Sequence, residues 1–142
     1  MSLALALLLA GCNMPPPSAG TVAENYVMQV AEGNYPAACA LLDAHARHDL
    51  GVAMKSSAGC ADLLARCLPT NASVLQHDQA QLFYANINVT VVGARATVLT
   101  SGTAVARRIR EVTLAKEHGH WLLTSYGEQR CPVIGGRHRH RR

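Results

Sequence analysis

LFYANINVTVVG, residues 82–93, is where the apolar spacing of this chain changes. Phe83, Ala85, Ile87, Val89 and Val91 fall on one face of an extended segment, and Tyr84, Asn86, Asn88 and Thr90 on the other. That two-residue alternation is the mark of a strand covered on one side. Gly93 turns the chain into ARATVLT (94–100), and Ser101-Gly102 turns it into AVARRIREVTLAKE (104–117), which reads as one long strand. The last turn is His118-Gly119 and the last strand HWLLTSY (120–126). Within the long strand, Val105 and Ile109 share one parity and Val112 and Leu114 the other, so a bulge or sharp bend is expected near Arg110 and the sheet is expected to be curved.

Upstream of residue 82 the spacing is helical. Thr21 and Glu24 fit a capping box, and Val22, Tyr26 and Val30, with Ala23 and Val27 beside them, form the apolar stripe of a first helix that stops at Gly33. Pro36 suits the first turn of a second helix, PAACALLDAHARH (36–48), which buries Cys39, Leu42 and Leu41 and is followed by a stop at Gly51. A third helix is expected from about Ser57 to Leu68, closed by Pro69. The fold class is therefore α+β, with three N-terminal helices packed on a curved antiparallel sheet of about four strands, in a domain spanning residues 21–134.

The 142 residues suffice for one domain with one core, and an apolar content of 49% excludes a disordered chain. Aromatic side chains make up only 4%, so the core must be aliphatic and its concavities easily left unfilled. The formal charge is +4, but Arg137, Arg139, Arg141 and Arg142 crowd into the last six residues and the remaining cations and anions cancel. A neutral body with a basic tail, residues 135–142, argues against a nucleic-acid face on the fold, and no interleaving of aromatic and basic residues suits single-strand stacking.

LALALLLA (3–10) is far shorter than the roughly 20 residues a membrane-crossing helix needs and reads as the apolar part of an export signal, residues 1–11. No Lys or Arg precedes it, a departure from the usual basic start of such signals. Leu9, Ala10 and Gly11 lead directly into Cys12, an arrangement that resembles the bacterial lipobox. The resemblance implies acylation of Cys12, palmitate included, and anchorage on the outer face of the cell membrane. The proline-rich stretch NMPPPSAG (13–20) would then complete a tether, residues 12–20, that lifts the domain roughly 20–25 Å from the lipid.

Without Cys12, four cysteines remain, an even number that suggests two disulfides in an oxidising compartment. Cys60 and Cys67 lie seven apart in a helical segment, about 10 Å along its axis, too far for the roughly 7 Å that a disulfide spans. Two pairings are left, and Cys39–Cys60 with Cys67–Cys131 is the expected one. No close C-x-x-C pair supports a zinc site, and nothing calls for a metal or other cofactor.

Taken in order, VAENYVMQVAEGNYPAACALL (22–42), Cys60 and the closing hairpin VTLAKEHGHWLLTSY (112–126) resemble the nuclear transport factor two-like superfamily, and more narrowly its exported bacterial lipoproteins. The resemblance implies a cystatin-like cone in which helices pack into the concave side of a bent sheet. That cone hosts isomerases, cyclases and proteins without a reaction, so it does not settle function. Its enzymes place an Asp or His in the cone beside a Tyr. Here His77 and Asp78 precede the first strand, and Tyr26, Tyr84 and Tyr126 could line a pocket, but none sits in a motif, and no catalytic residue is assigned.

His45 and His48 lack a partner to complete a metal site, and Arg107, Arg108 and Arg110 read as a charged strand edge. In the bacterial lipoprotein that the resemblance implies, the sequons at Asn71 and Asn88 would be incidental. The expectation is a lipid-anchored envelope protein that binds a small apolar ligand in the cone or another envelope protein on the open sheet. The alternatives are an isomerase- or cyclase-like enzyme and a structural domain that forms a homodimer.

Overall fold

In the computed structural model, residues 14–70, 86–127 and 131 are described. Among them the chain forms five helices and four strands in the order α1 (Ala19–Ala31), α2 (Tyr35–Ala40), α3 (Ala44–Met54), α4 (Cys60–Cys67), β1 (Asn86–Val92), β2 (Arg95–Ser101), α5 (Ala104–Ile109), β3 (Glu111–Glu117) and β4 (His120–Leu123). The architecture is α+β, with an open antiparallel sheet in the order β1-β2-β3-β4. No helix among the described residues is long and apolar enough to cross a membrane.

The first helix starts earlier than the capping box placed it. Ser18 is the N-cap, its hydroxyl accepting from the Thr21 amide at 3.2 Å, so Thr21 lies inside the helix. At the other end Gly33, at φ +71°, lets its own amide reach the Val30 carbonyl and the Asn34 amide reach that of Gln29, the paired bonds of a Schellman stop. The face that α1 buries is the expected stripe, Val22, Ala23, Tyr26, Val27 and Val30.

The second expected helix is two. Leu42 forms a parallel bridge with Leu123 at the end of the sheet, with Asp43 donating its amide to the Leu123 carbonyl and Leu123 its own to the Leu41 carbonyl, both at 2.8 Å. Leu41, Leu42 and Asp43 therefore interrupt the helical register, with Asp43 in extended backbone. Asp43 restarts it, its Oδ1 accepting from the Ala46 amide at 2.8 Å. The new helix runs through Gly51 and stops at Lys55, which takes a left-handed conformation (φ +50°).

The long strand is likewise two elements. Residues 104–109 form α5, capped by the Thr103 hydroxyl, which accepts from the Ala106 amide at 3.1 Å. Val105, Ala106 and Ile109 are buried from one side of this helix, so the change of phase near Arg110 is a helix-to-strand junction and not a bulge. The hairpin turns fall where the glycines placed them, at Gly93 and at His118-Gly119, where both residues have positive φ.

Two disulfides staple the helical layer. Cys39–Cys60 joins α2 to α4 across a Cα separation of 6.1 Å, and Cys67–Cys131 ties the end of α4 to the chain beyond the sheet at 4.5 Å. Helix spacing excluded only a Cys60–Cys67 bond, and of the two arrangements then left these are the expected pairs. The core between helices and sheet is made of Tyr26, Leu42, Leu50, Leu64, Ile109, Leu114 and Leu123, all fully buried.

Candidate functional site

Cys12, His77, Asp78 and Tyr84, the sequon at Asn71 and the basic tail lie outside the described residues. Of the three tyrosines expected to line a pocket, Tyr26 and Tyr126 come together, but not as pocket walls. Tyr26 is completely buried and donates its hydroxyl to the backbone carbonyl of Tyr126 at 2.7 Å. Burial, then the nearby Tyr126, pushes the Tyr26 phenol far above its ordinary range. The half-buried Tyr126 phenol is also pushed up, first by burial and then by the Asp49 carboxylate.

Apart from Gln29 Oε1, which is buried without a hydrogen-bond partner, the buried side-chain polar groups among the described residues are engaged in structure. Asp43 caps α3, Thr103 caps α5, and the Thr100 hydroxyl donates to the Ala106 carbonyl at 2.8 Å. Of the arginines that sequence reading set on a strand edge, Arg107 and Arg108 lie instead on α5 and donate to backbone carbonyls. Arg108 donates to the Pro69 carbonyl at 2.7 Å, holding α5 to the end of α4. His45 Nε2 lies 3.2 Å from an Asp49 carboxylate oxygen on the exposed side of α3. Among the described residues no group of three or more His, Cys, Asp or Glu side chains is placed to hold a metal ion.

What sequence reading missed is the groove between α3 and α4, a concavity of about 790 Å³. Its α3 wall is one helical stripe, Ala44, Arg47, His48, Gly51, Val52 and Lys55, and α4 contributes Cys60 and Leu63. Every ionisable side chain lining it is a base: Arg47, His48 and Lys55. The acids of α3 and its cap, Asp43 and Asp49, instead line a separate polar hollow with His45, Arg95 and Glu117. The helix thus keeps its carboxylates away from the groove.

Arg47 is fixed in place, because its Nε and one terminal nitrogen both donate to the Cys39 carbonyl, at 3.2 and 2.9 Å. Between these basic side chains the stripe is small or apolar, and Val52 is 63% exposed. The stripe's spacing of three and four residues was legible in the sequence, but Gly51 read as a stop and hid its second half.

A second surface feature lies at the sheet edge. Among the described residues β1 pairs only with β2, and it carries no charged residue and no proline. Val91 and Val92 are 53% and 75% exposed there, and Leu99 of β2, opposite Asn88, is half-exposed. Comparison of the chain with family models, with curated proteins and with solved structures finds no match.

Proposed function

We propose that this chain is a lipid-anchored protein of the bacterial envelope, exported and held through Cys12 on the outer face of the membrane, whose domain works by binding and not by turnover. The observation that carries the binding reading is the structural engagement of four buried polar side chains. Asp43, Thr100, Thr103 and Tyr26 each serve a helix cap or a backbone carbonyl, which leaves no desolvated acid or base among them poised for proton transfer. Two disulfides support an oxidising compartment. The helical layer on a four-stranded meander, closed by a hairpin bearing Trp121, supports the nuclear transport factor two-like cone as the finer description.

With Tyr26 and its neighbours filling the core, the ligand is taken at the surface and not in the cone. Metabolic labelling with a palmitate analogue tests the anchor. The chain is expected to carry label in the membrane fraction of a bacterial host, and Cys12→Ser to carry none. Label retained after that substitution, or none in the parent chain, rejects the anchor.

The uncharged β1 edge favours a second reading, in which a second copy pairs with it. Antiparallel pairing of two β1 strands about Val89 sets Ile87 against Val91 and Asn88 against Thr90, apolar on apolar and polar on polar. Light scattering of the Cys12→Ser chain is then expected to give a dimer that Val91→Lys converts to a monomer. A monomer before substitution rejects it.

A further inference from the structure

The carboxylate-free lining of the α3 groove says what kind of ligand it would take. A cationic ligand would meet Arg47, His48 and Lys55 with no acid among the lining side chains. A small inorganic anion would leave the exposed Val52 and the apolar floor uncovered. A ligand that satisfies both has one anionic end and an apolar body. The volume, about 790 Å³, lies within the range of natural small-molecule sites.

We propose that the groove between α3 and α4 binds a single-chain fatty acid, with its carboxylate at Arg47 and His48 and its chain running past Gly51 and Val52 toward Lys55. Arg47 is the better end for the carboxylate. Its guanidinium is already oriented by the Cys39 carbonyl, with one terminal nitrogen left to reach a ligand. Lys55 is an exposed ammonium at the C-terminal end of α3, where the helix dipole disfavours an anion. Gly51 keeps the floor open, since a side chain there would rise between the cationic ends, with its Cβ 3.4 Å from the Ser56 carbonyl.

The inference rests on the binding reading above and not on the anchor at Cys12. Its test is a titration of the full-length, oxidised Cys12→Ser chain, followed by amide correlation spectra, with sodium dodecanoate and with dodecyltrimethylammonium, both below their micelle concentrations. Dodecanoate is expected to give saturable shifts centred on Arg47, His48, Gly51, Val52 and Ala58. Octanoate should bind more weakly, by up to about fourfold for each methylene lost from contact. The double variant His48→Glu, Lys55→Glu, at two exposed positions, should weaken dodecanoate by about tenfold and leave the rest of the spectrum unchanged.

Equal binding of both amphiphiles in the groove overturns the assignment of an anionic ligand while leaving a binding groove. Shifts that are absent or map elsewhere overturn the groove itself. Association only with vesicles containing anionic lipid, without saturable binding of free dodecanoate, overturns the fatty acid in favour of a membrane surface.

Discussion

Replacing Cys67 and Cys131 with alanine is expected to lower the free energy of unfolding by about 4 kcal/mol, and replacing Cys39 and Cys60 by about 3 kcal/mol. The order follows from the closed loops, since the first pair is separated by 64 residues and the second by 21. The two loops follow one another along the chain and neither encloses the other, so their constraints on the unfolded state are independent and the losses should add. Their sum, about 7 kcal/mol, is comparable to the whole stability of an ordinary domain. The reduced chain is therefore expected to be unfolded at 25 °C, and urea titrations followed by circular dichroism should show the two single-pair variants still folding cooperatively. A reduced chain that keeps its native transition would contradict this and remove the main physical reason to place the protein in an oxidising compartment.

The disulfides were legible in part because helix geometry is rigid: two cysteines seven residues apart on one helix cannot be bridged, which removes one of three pairings but does not choose between the other two. Strand positions were legible for a similar reason, as turns at Gly93 and at His118-Gly119 need positive φ and the sequence offers glycine there. The two misread segments fail where a short apolar pattern fits both periods. Val105 and Ile109 are four apart, which suits alternate residues of a strand and successive turns of a helix equally. Thr103, the cap that decides between them, looks like any turn residue until its amide partner is known. Leu42 is lost from the expected helix because its partner, Leu123, is 81 positions away and supplies a bridge no local preference predicts. The groove was hidden by the same kind of local rule, since a glycine tolerated inside α3 reads as a helix stop.

Tyr26→Ala is expected to cost about 3–5 kcal/mol, the range for removing a fully buried aromatic ring. Tyr26→Phe keeps the ring and removes only the bond to the Tyr126 carbonyl, so it should cost about 1–2 kcal/mol. The phenylalanine variant also has a signature in pH. Burial holds the Tyr26 phenol neutral in the fold well above its ordinary range, whereas in the unfolded chain it ionises near pH 10. Below pH 10 both states keep the proton and this group adds no pH dependence. Above it the unfolded chain releases a proton that the folded chain retains, and stability falls as pH rises.

Tyr26→Phe should remove about 1.4 kcal/mol per pH unit from that fall. The remaining slope has the same sign, because the Tyr126 phenol is raised as well, by burial and by Asp49. Urea midpoints at pH 8 and in brief exposures above pH 10 separate the two roles open to this side chain. A tyrosine lining an open pocket would leave both stability and alkaline slope almost unchanged on losing its hydroxyl, and that result would reopen the interior of the fold as a ligand site.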